Sequence, residues 1–453
     1  SSSDNAVLEI VSRGSGSLRV GTVSLMPADH IKGFRADVIA LLKELDSPIY
    51  RWPGGNFVSG YDWRDGIGER DRRPPRKNPA WTGVEHNDVG IHEYMDLMEL
   101  IGAEPFIAVN TGLGTMEEVG EEVEYCNSSA DTPTGRLRAE NGHPESFRVK
   151  WWAVGNEMYG SWQLGHMPLE EYVKKHNRVV EAMRRVDPSI RLVAVGEVGR
   201  WSQTMLKECG DYMDLLSEHI YVQEKPGVLG HVNWLGEEIK RKADAHRKYR
   251  QEIPGLAEKD IRIAMDEWNY WYGDYLYGEL GVRYHLKDAL GTAAGLHEYF
   301  RNNDLYFMAN YAQTVNVIGA IKTTKTDAAF ETTGLVLKLY RKHFGTIPVE
   351  VRGTSGLLDV FAALSVDEKI LTLSVVNPTL EKQDLPVQFE GISLTGAGRK
   401  WEIAGSDPMA YNEPGKKPRI VIGEKGVKGI SDKLKLPLLS ITLYALDVQS
   451  KGE

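Results

Sequence analysis

Seven short apolar runs recur through the middle of the chain, each followed by a polar loop and an amphipathic helix. They are SPIYRWPGG from residue 47, EPFIAVN from 104, VKWWAVGNE from 149, IRLVAVGE from 190, MDLLSEHIY from 213, IRIAMDEWN from 261 and DLYFMANYAQ from 304. Near-continuous apolar runs of this length suit parallel strands covered on both faces. Between them the helices are legible. Residues 169–186 set Leu169, Tyr172, Val173, Val179, Val180, Met183 and Val186 on one stripe. Strand–helix alternation sustained at roughly 40-residue spacing predicts right-handed βαβ units and an α/β fold, the (β/α)8 TIM barrel. Only seven βα units are visible, where closure calls for eight. No eighth candidate lies between the last run and the tail. The deficit is expected to be filled by residues outside this chain or by an irregular segment.

The two ends read differently. VLEIVSRGSGSLRVGTVSLMP, residues 7–27, reads as two strands around a Gly/Ser turn. Two strands alone are not stable, so these need partners. From about residue 346 the pattern is all-β, as in LDVFAALS, KILTLSVVNP and SITLYALDV, with turn residues between, which predicts a C-terminal all-β sandwich. The expected domains are 1–27, terminal strands of an incomplete carbohydrate-binding-like sandwich; 28–345, the catalytic barrel; and 346–453, the C-terminal sandwich.

Composition narrows the partners. In 453 residues, 42% hydrophobic and 26% charged content describe an ordinary globular chain. A formal net charge of -10 argues against a nucleic-acid partner, since no basic stripe is available to neutralise phosphates. The densest basic run, 70–77, lies among prolines and acids and reads as a solvated loop. No window of about 18 apolar residues exists to span a membrane. Cys126 and Cys209 allow at most one disulfide, and their spacing leaves the pairing open.

Active sites of such barrels lie at the C-terminal ends of the strands. The residues there are Arg51 and Asn56, Asn110, Asn156 and Glu157, His219 and Tyr221, Glu267 and Trp268, and Gln313. They outline a polar, aromatic-lined cup with two carboxylates on different strands. Glycoside hydrolysis needs such a pair: one acid to protonate the leaving oxygen, one carboxylate to attack the anomeric carbon or activate water. Sugar rings offer C–H faces to aromatics, and Asn156 is placed to reach a 2-hydroxyl. A lone glutamate at a strand end is more often a helix-dipole partner or a surface charge; Asn-Glu and Asp-Glu-Trp at two strand ends together outweigh that reading. Arg51 reads equally as a brace of the barrel mouth. By strand alternation Asp266 should point away from the cup, in a structural pairing. His86, His92, His166, His176 and His219 show no metal-ligand spacing and most read as surface or structural, so no metal site is expected.

IYRWPGGNFVSGYDWRDGIG, WWAVGNEMYGSWQLGH, SEHIY, DEWN and AQTVNVI, in that order, resemble the signature segments of family 51 glycoside hydrolases, mostly α-L-arabinofuranosidases. The resemblance runs from about residue 20 to the end. It implies an acid/base on barrel strand 4 and a nucleophile on strand 7, which makes the first visible strand the second and the missing one the first. Family members carry a sugar-contacting glutamate near the end of strand 1, for which this chain has no match. Some also insert a carbohydrate-binding sandwich after strand 1, and residues 7–27 resemble its last strands. The chain, which opens on Ser1, is therefore expected to be the C-terminal portion of a longer protein.

Carried over residue by residue, the resemblance implies Glu157 as acid/base and Glu267 as nucleophile of a retaining double displacement. Tyr221 would hold Glu267, while Arg51, Asn56, Asn156 and Gln313 contact the furanose or the carboxylates, with Trp162 and Trp271 as walls. The chemistry then asks for a raised Glu157 pKa, a lowered Glu267 pKa, and carboxyl groups about 5 Å apart rather than the roughly 6.5–9.5 Å of inversion. The expected activity is release of terminal α-L-arabinofuranose from arabinoxylan or arabinan. The rivals are an endo-β-1,4-glucanase or xylanase of the same family and a sugar-binding fragment without activity. No nucleotide, flavin or metal cofactor is implied, since two carboxylates suffice. Expected partners are an arabinose-containing plant cell-wall poly- or oligosaccharide, a separate N-terminal polypeptide supplying strand 1, and further copies in a homo-oligomer. A secreted or periplasmic setting is favoured over a cytoplasmic one.

Overall fold

Five of the seven apolar runs form strands covered on both faces, and the two at the ends of the sheet, Ile49–Trp52 and Tyr306–Tyr311, are partly covered. In the computed structural model, which describes residues 7–21, 23–78, 80–353, 356–429 and 433–449, the strands are β1 (Ile49–Trp52), β2 (Glu104–Ala108), β3 (Trp151–Val154), β4 (Arg191–Ala194), β5 (Leu215–Val222), β6 (Arg262–Tyr270) and β7 (Tyr306–Tyr311). They pair in sequence order, all parallel. Inward-pointing Phe106, Ala108, Trp151, Ala153, Val193, Leu215 and Ala264 fill the barrel interior. Outward Ile107, Trp152, Val154 and Leu192 meet the helices Ile91–Ile101, Met116–Asn127 and Leu169–Val186. This two-sided burial is why the runs lack polar alternation.

The sheet curls into a barrel but does not close. Among the described residues no ladder joins β7 back to β1. The seam between them opens into a cavity of about 1210 Å³ lined by Ile49 and Tyr50 on one side and Phe307–Asn310 on the other. Leu296, Phe300, Leu337, Tyr340 and Phe344 back it, and it runs on into the catalytic cup.

After the barrel, a six-stranded antiparallel sheet takes the order Ile347–Val349, Asp359–Leu364, Ile370–Asn377, Ser440–Val448, Leu394–Ala404, Gly423–Lys428. A pair of short strands, Gln383–Pro386 and Lys433–Leu436, covers one of its faces through Leu385, Leu434 and Leu436. The other face, with Val376, Trp401, Ile403, Ile441 and Leu443, packs on the helices Leu286–Arg301 and Thr332–His343. The chain is thus a TIM barrel with a C-terminal β-sandwich.

The amino-terminal expectation is not met in the described residues. Residues 1–6 and 22 lie outside them; the remainder of 7–27 forms no strand, though the Gly14–Gly16 bend stands where the turn is predicted. Val7, Val11 and Leu25 are 79%, 71% and 84% exposed, so these residues lack the partners that a strand needs.

Candidate active site

β3 ends where Gly155 turns the chain at φ 96°, and a Cβ there would lie 2.0 Å from Thr111 Oγ1. Only glycine fits. Two residues on, Glu157 adopts φ 42°, a left-handed conformation that costs a non-glycine residue of order 1–3 kcal/mol. The turn aims Glu157 over the cup, while Asn156 sinks to 1% exposure beneath Arg51. Asn156 Oδ1 accepts from Arg51 Nη2 at 2.6 Å, and its Nδ2 donates to Gln163 Oε1 at 3.1 Å.

The opposite wall depends on a bulge. On the β5–β6 ladder Ser217 faces Ala264 and His219 faces Glu267, so β6 spends three steps where β5 spends two. The extra residue breaks alternation and lets Asp266 and Glu267 both face inward. The expectation that Asp266 points away fails here: it is buried on the cup floor. It accepts from Ser217 Oγ, lies 3.1 Å from His219 Nε2, and has its Oδ2 3.2 Å from Arg51 Nε, an ion pair without hydrogen-bond alignment.

Around the two glutamates the donors are specific. Glu267 accepts from Arg51 Nη1 at 2.9 Å and from the Tyr221 hydroxyl at 2.6 Å. Glu157 has His219 Nδ1 at 2.8 Å and accepts from Trp162 Nε1 at 2.5 Å. Donor atoms of Glu157, His219 and Glu267 all lie within 4.8 Å of one another. Such a separation suits a pair acting on one anomeric centre with no water between them.

Burial pushes the Glu157 carboxyl up, as the sequence reading asks. However, the hydrogen bond and charge of His219, the Trp162 indole and Arg51 outweigh burial and hold it below the usual range. Burial likewise opposes a charged His219, but Glu267, Asp266 and Glu157 raise it well above its ordinary value. The proton of this cluster therefore rests on the imidazole, hydrogen-bonded to Glu157. Burial and the Glu267 charge push the Tyr221 hydroxyl well above its ordinary value, so it stays a donor.

Arg51, Asn56, Glu157, Trp162, Tyr221, Glu267, Trp271 and Gln313 all line the cavity; Asn156 sits behind Arg51. Asn56 bridges two mouth loops, donating to Trp162 O at 2.6 Å and accepting from Leu164 N at 2.9 Å. Trp271 meets Tyr221 edge to face at 5.1 Å. Two strand-end residues lie elsewhere. Asn110 spends its carbonyl oxygen on the backbone N–H groups of 112–114, and Trp268 is buried against Tyr299 and Tyr311. Sequence reasoning missed Trp81, brought to the cavity by a hairpin whose Thr82 donates to Glu279. It placed His219 at the cup beside Tyr221 but gave it no role there, although its strand-end position was a usable signal. Glu157, His219 and Glu267 converge as metal ligands can, but Arg51 already flanks Glu267 and both imidazole nitrogens face carboxylates. This donor set fits a proton-transfer centre.

The family model described as "Alpha-L-arabinofuranosidase 1 domain" matches residues 41–251, and "Alpha-L-arabinofuranosidase C-terminal domain" matches 266–440. A probable α-L-arabinofuranosidase C of Aspergillus clavatus is 34% identical over 427 residues, covering 86% of this chain and 84% of that protein. The α-L-arabinofuranosidase of Thermotoga maritima, solved as an arabinose complex, superposes with a TM-score of 0.86 at 30% identity, over 94% of this chain and 92% of that one. A thermostable GH51 α-L-arabinofuranosidase from Thermotoga petrophila gives 0.85 at 31% identity, over 93% and 92%.

Proposed function

The chain belongs to the α-L-arabinofuranosidase family of glycoside hydrolases, family 51, and from that membership we propose how its cup works and on what. The enzyme is a glycosidase; its substrate is the terminal α-L-arabinofuranosyl unit of arabinoxylan- or arabinan-type plant polysaccharides, attacked by double displacement. Glu267, aimed by Arg51 and Tyr221, attacks the anomeric carbon. Glu157 delivers a proton to the departing oxygen, and that proton comes from His219 across their 2.8 Å contact. As Glu267 gives up its charge to the sugar, the largest influence favouring the imidazolium disappears, and the proton moves to Glu157. Glu157 then serves as base toward water, which releases the sugar with its configuration retained. The single observation that carries this reading is the convergence of Glu157 and Glu267 beside His219 Nδ1, with donor atoms of the three residues within 4.8 Å of one another.

Asn56, Asn156, Gln313, Trp162 and Trp271 are proposed to hold the furanose. Exo action is supported by the mouth, where the bridges Asn56–Trp162 and Thr82–Glu279 wall the cup in. Glu267→Ala should lose turnover of p-nitrophenyl α-L-arabinofuranoside by more than about 10⁴-fold. Azide should restore it with a product of inverted configuration; rescue with retention would remove Glu267 from the nucleophile's role. Arabinose released from arabinoxylan supports the exo reading, whereas oligosaccharides cut from carboxymethylcellulose would replace it with the endo-glucanase alternative.

The open seam supports a second proposal: a separate N-terminal polypeptide segment supplies an eighth parallel strand between β1 and β7. Among the described residues both flanking edges are unpaired, and the seam cavity is apolar on its helix side. Isolation from the native source should give a heavier species or a second polypeptide, and an active species of this chain alone would refute it. Assembly into a homo-oligomer belongs to the same proposal and is read by light scattering.

A further inference from the structure

Behind the loop that carries Gln313 lies a buried ammonium with an unusual allotment of partners. Lys322, on the short strand Ile321–Thr323, is 0% exposed, and its Nζ donates to Val317 O at 2.6 Å. Among the described residues no carboxylate lies within 4.0 Å of it. The Tyr277 and Tyr284 rings flank it at 5.5 and 5.4 Å. The nearby acid is Glu331, 1% exposed, whose Oε1 has no hydrogen-bond partner. Taking both groups out of water without a direct ion pair is costly, so packing alone does not account for them.

Their setting supplies the reason. Asn316 and Val317 both adopt left-handed backbone, at φ 56° and 45°, and for a β-branched valine that is a strained state. The strained turn is held from three sides. Val282 N and Lys322 Nζ both donate to Val317 O, Asn316 is tied to Thr323, and Asn269 Nδ2 and the Tyr284 hydroxyl converge on Ile318 O. Ile318 O in turn accepts from Gln313 N, and Gln313 O accepts from Ala320 N. The position of Val317 is thereby transmitted through Ile318 to Gln313, whose side chain faces the cup.

We propose that Lys322 is a positioning residue for the sugar site: its ammonium clamps the strained Val317 carbonyl and so sets Gln313 against the bound furanose, with Glu331 as the distant counter-charge that keeps the ammonium in place. Burial works against both charges, drawing Lys322 down to about 8 and pushing Glu331 up to about 8, which agrees with a pair held for geometry. The proposal rests on the reading of the cup given above, and its test has a readout independent of activity.

The variant Lys322→Met combined with Glu331→Gln removes the clamp without leaving an orphan charge; Lys322→Gln serves as the second form. Backbone hydrogen exchange at 313–321 should accelerate about tenfold or more, with the barrel strands unchanged. KM for p-nitrophenyl α-L-arabinofuranoside should rise about tenfold, matching Gln313→Ala, while kcat changes less than about threefold. Wild-type exchange in 313–321 and an unchanged KM in a folded variant would overturn the clamp. If the wild-type enzyme proves inactive on that glycoside, the reading of the cup fails, and the exchange data alone still decide the clamp.

Discussion

A His219→Asn substitution tests where the leaving group's proton comes from. The relay predicts a loss of about 10²–10³-fold in kcat/KM on arabinoxylan, within the usual range for proton transfer by a positioned group. On a dinitrophenyl arabinofuranoside, whose leaving group needs little protonation, the loss should stay below about tenfold. Equal losses on both would make His219 a bystander of general acid catalysis. The sign with pH follows from the same contacts. His219 is raised, so its proton is present at neutral pH and is lost only as pH climbs through its elevated range. The alkaline limb for arabinoxylan should therefore track His219 and vanish in the variant. Legibility at this scale was uneven. Glu157 and Glu267 were readable because each lies at the C-terminal end of an apolar run, where barrel strands present side chains to the mouth. The direction of the Glu157 shift was not readable, because it depends on His219, a residue 62 positions away in sequence.

At the scale of elements, the β6 bulge shows why period-2 reasoning failed at Asp266. One inserted residue reverses every facing beyond it, and a bulge in a buried parallel strand leaves no compositional mark. Trp81 was hidden for a related reason: its hairpin, Arg76–Lys77 with Val84–Glu85, is too short to show a period. Helices were easier to read, since an apolar stripe reports the face they bury. One stripe holds an exception with a measurable effect. Glu122, on the helix Met116–Asn127, is 4% exposed on the buried side with Val119, Val123 and Cys126. Burial pushes its carboxyl up to about 8. The folded form therefore binds more protons than the unfolded chain between the ordinary carboxylate value and about pH 8, and stability must fall as pH rises through that window. Glu122→Gln should flatten this slope and exceed wild type at pH 9 by on the order of 3 kcal/mol in urea unfolding. Parallel curves for the two proteins would show that Glu122 is solvated.

For the whole molecule, the barrel and sandwich are joined by apolar packing and by polar contacts, among them a buried lock. His297, 0% exposed on the helix Leu286–Arg301, has Nδ1 against Asp359 Oδ1 and Nε2 2.7 Å from the Tyr340 hydroxyl, which also meets Ser374 at 2.6 Å. Arg301 adds 2.8 and 3.1 Å contacts to Asp359. Burial opposes the Asp359 charge, but His297 and Arg301 prevail and hold the carboxyl well below its ordinary value. Its contribution is thus complete above the unfolded carboxylate value and is lost as pH falls below that. Asp359→Asn should lower stability at pH 7 by about 2–4 kcal/mol, and the difference from wild type should shrink in acid. An unchanged melting temperature would leave the interface to its apolar contacts. The seven strands were legible as a set, since the five inner runs are buried on both faces and the two at the seam repeat their pattern. The unclosed circumference was legible only as a missing count.

That open circumference has a mechanical consequence. Among the described residues β1 pairs with no strand but β2, and its other side faces the seam. From β1, Arg51 reaches across the barrel to Glu267 and Asp266 on β6, at 2.9 and 3.2 Å. The guanidinium is a tie rod between a stave paired on one side and the wall that bears Glu267. Whatever draws the stave inward tightens the rod, and whatever lets it splay slackens the grip on Glu267. Hoop tension and the placement of Glu267 therefore run through the same side chain.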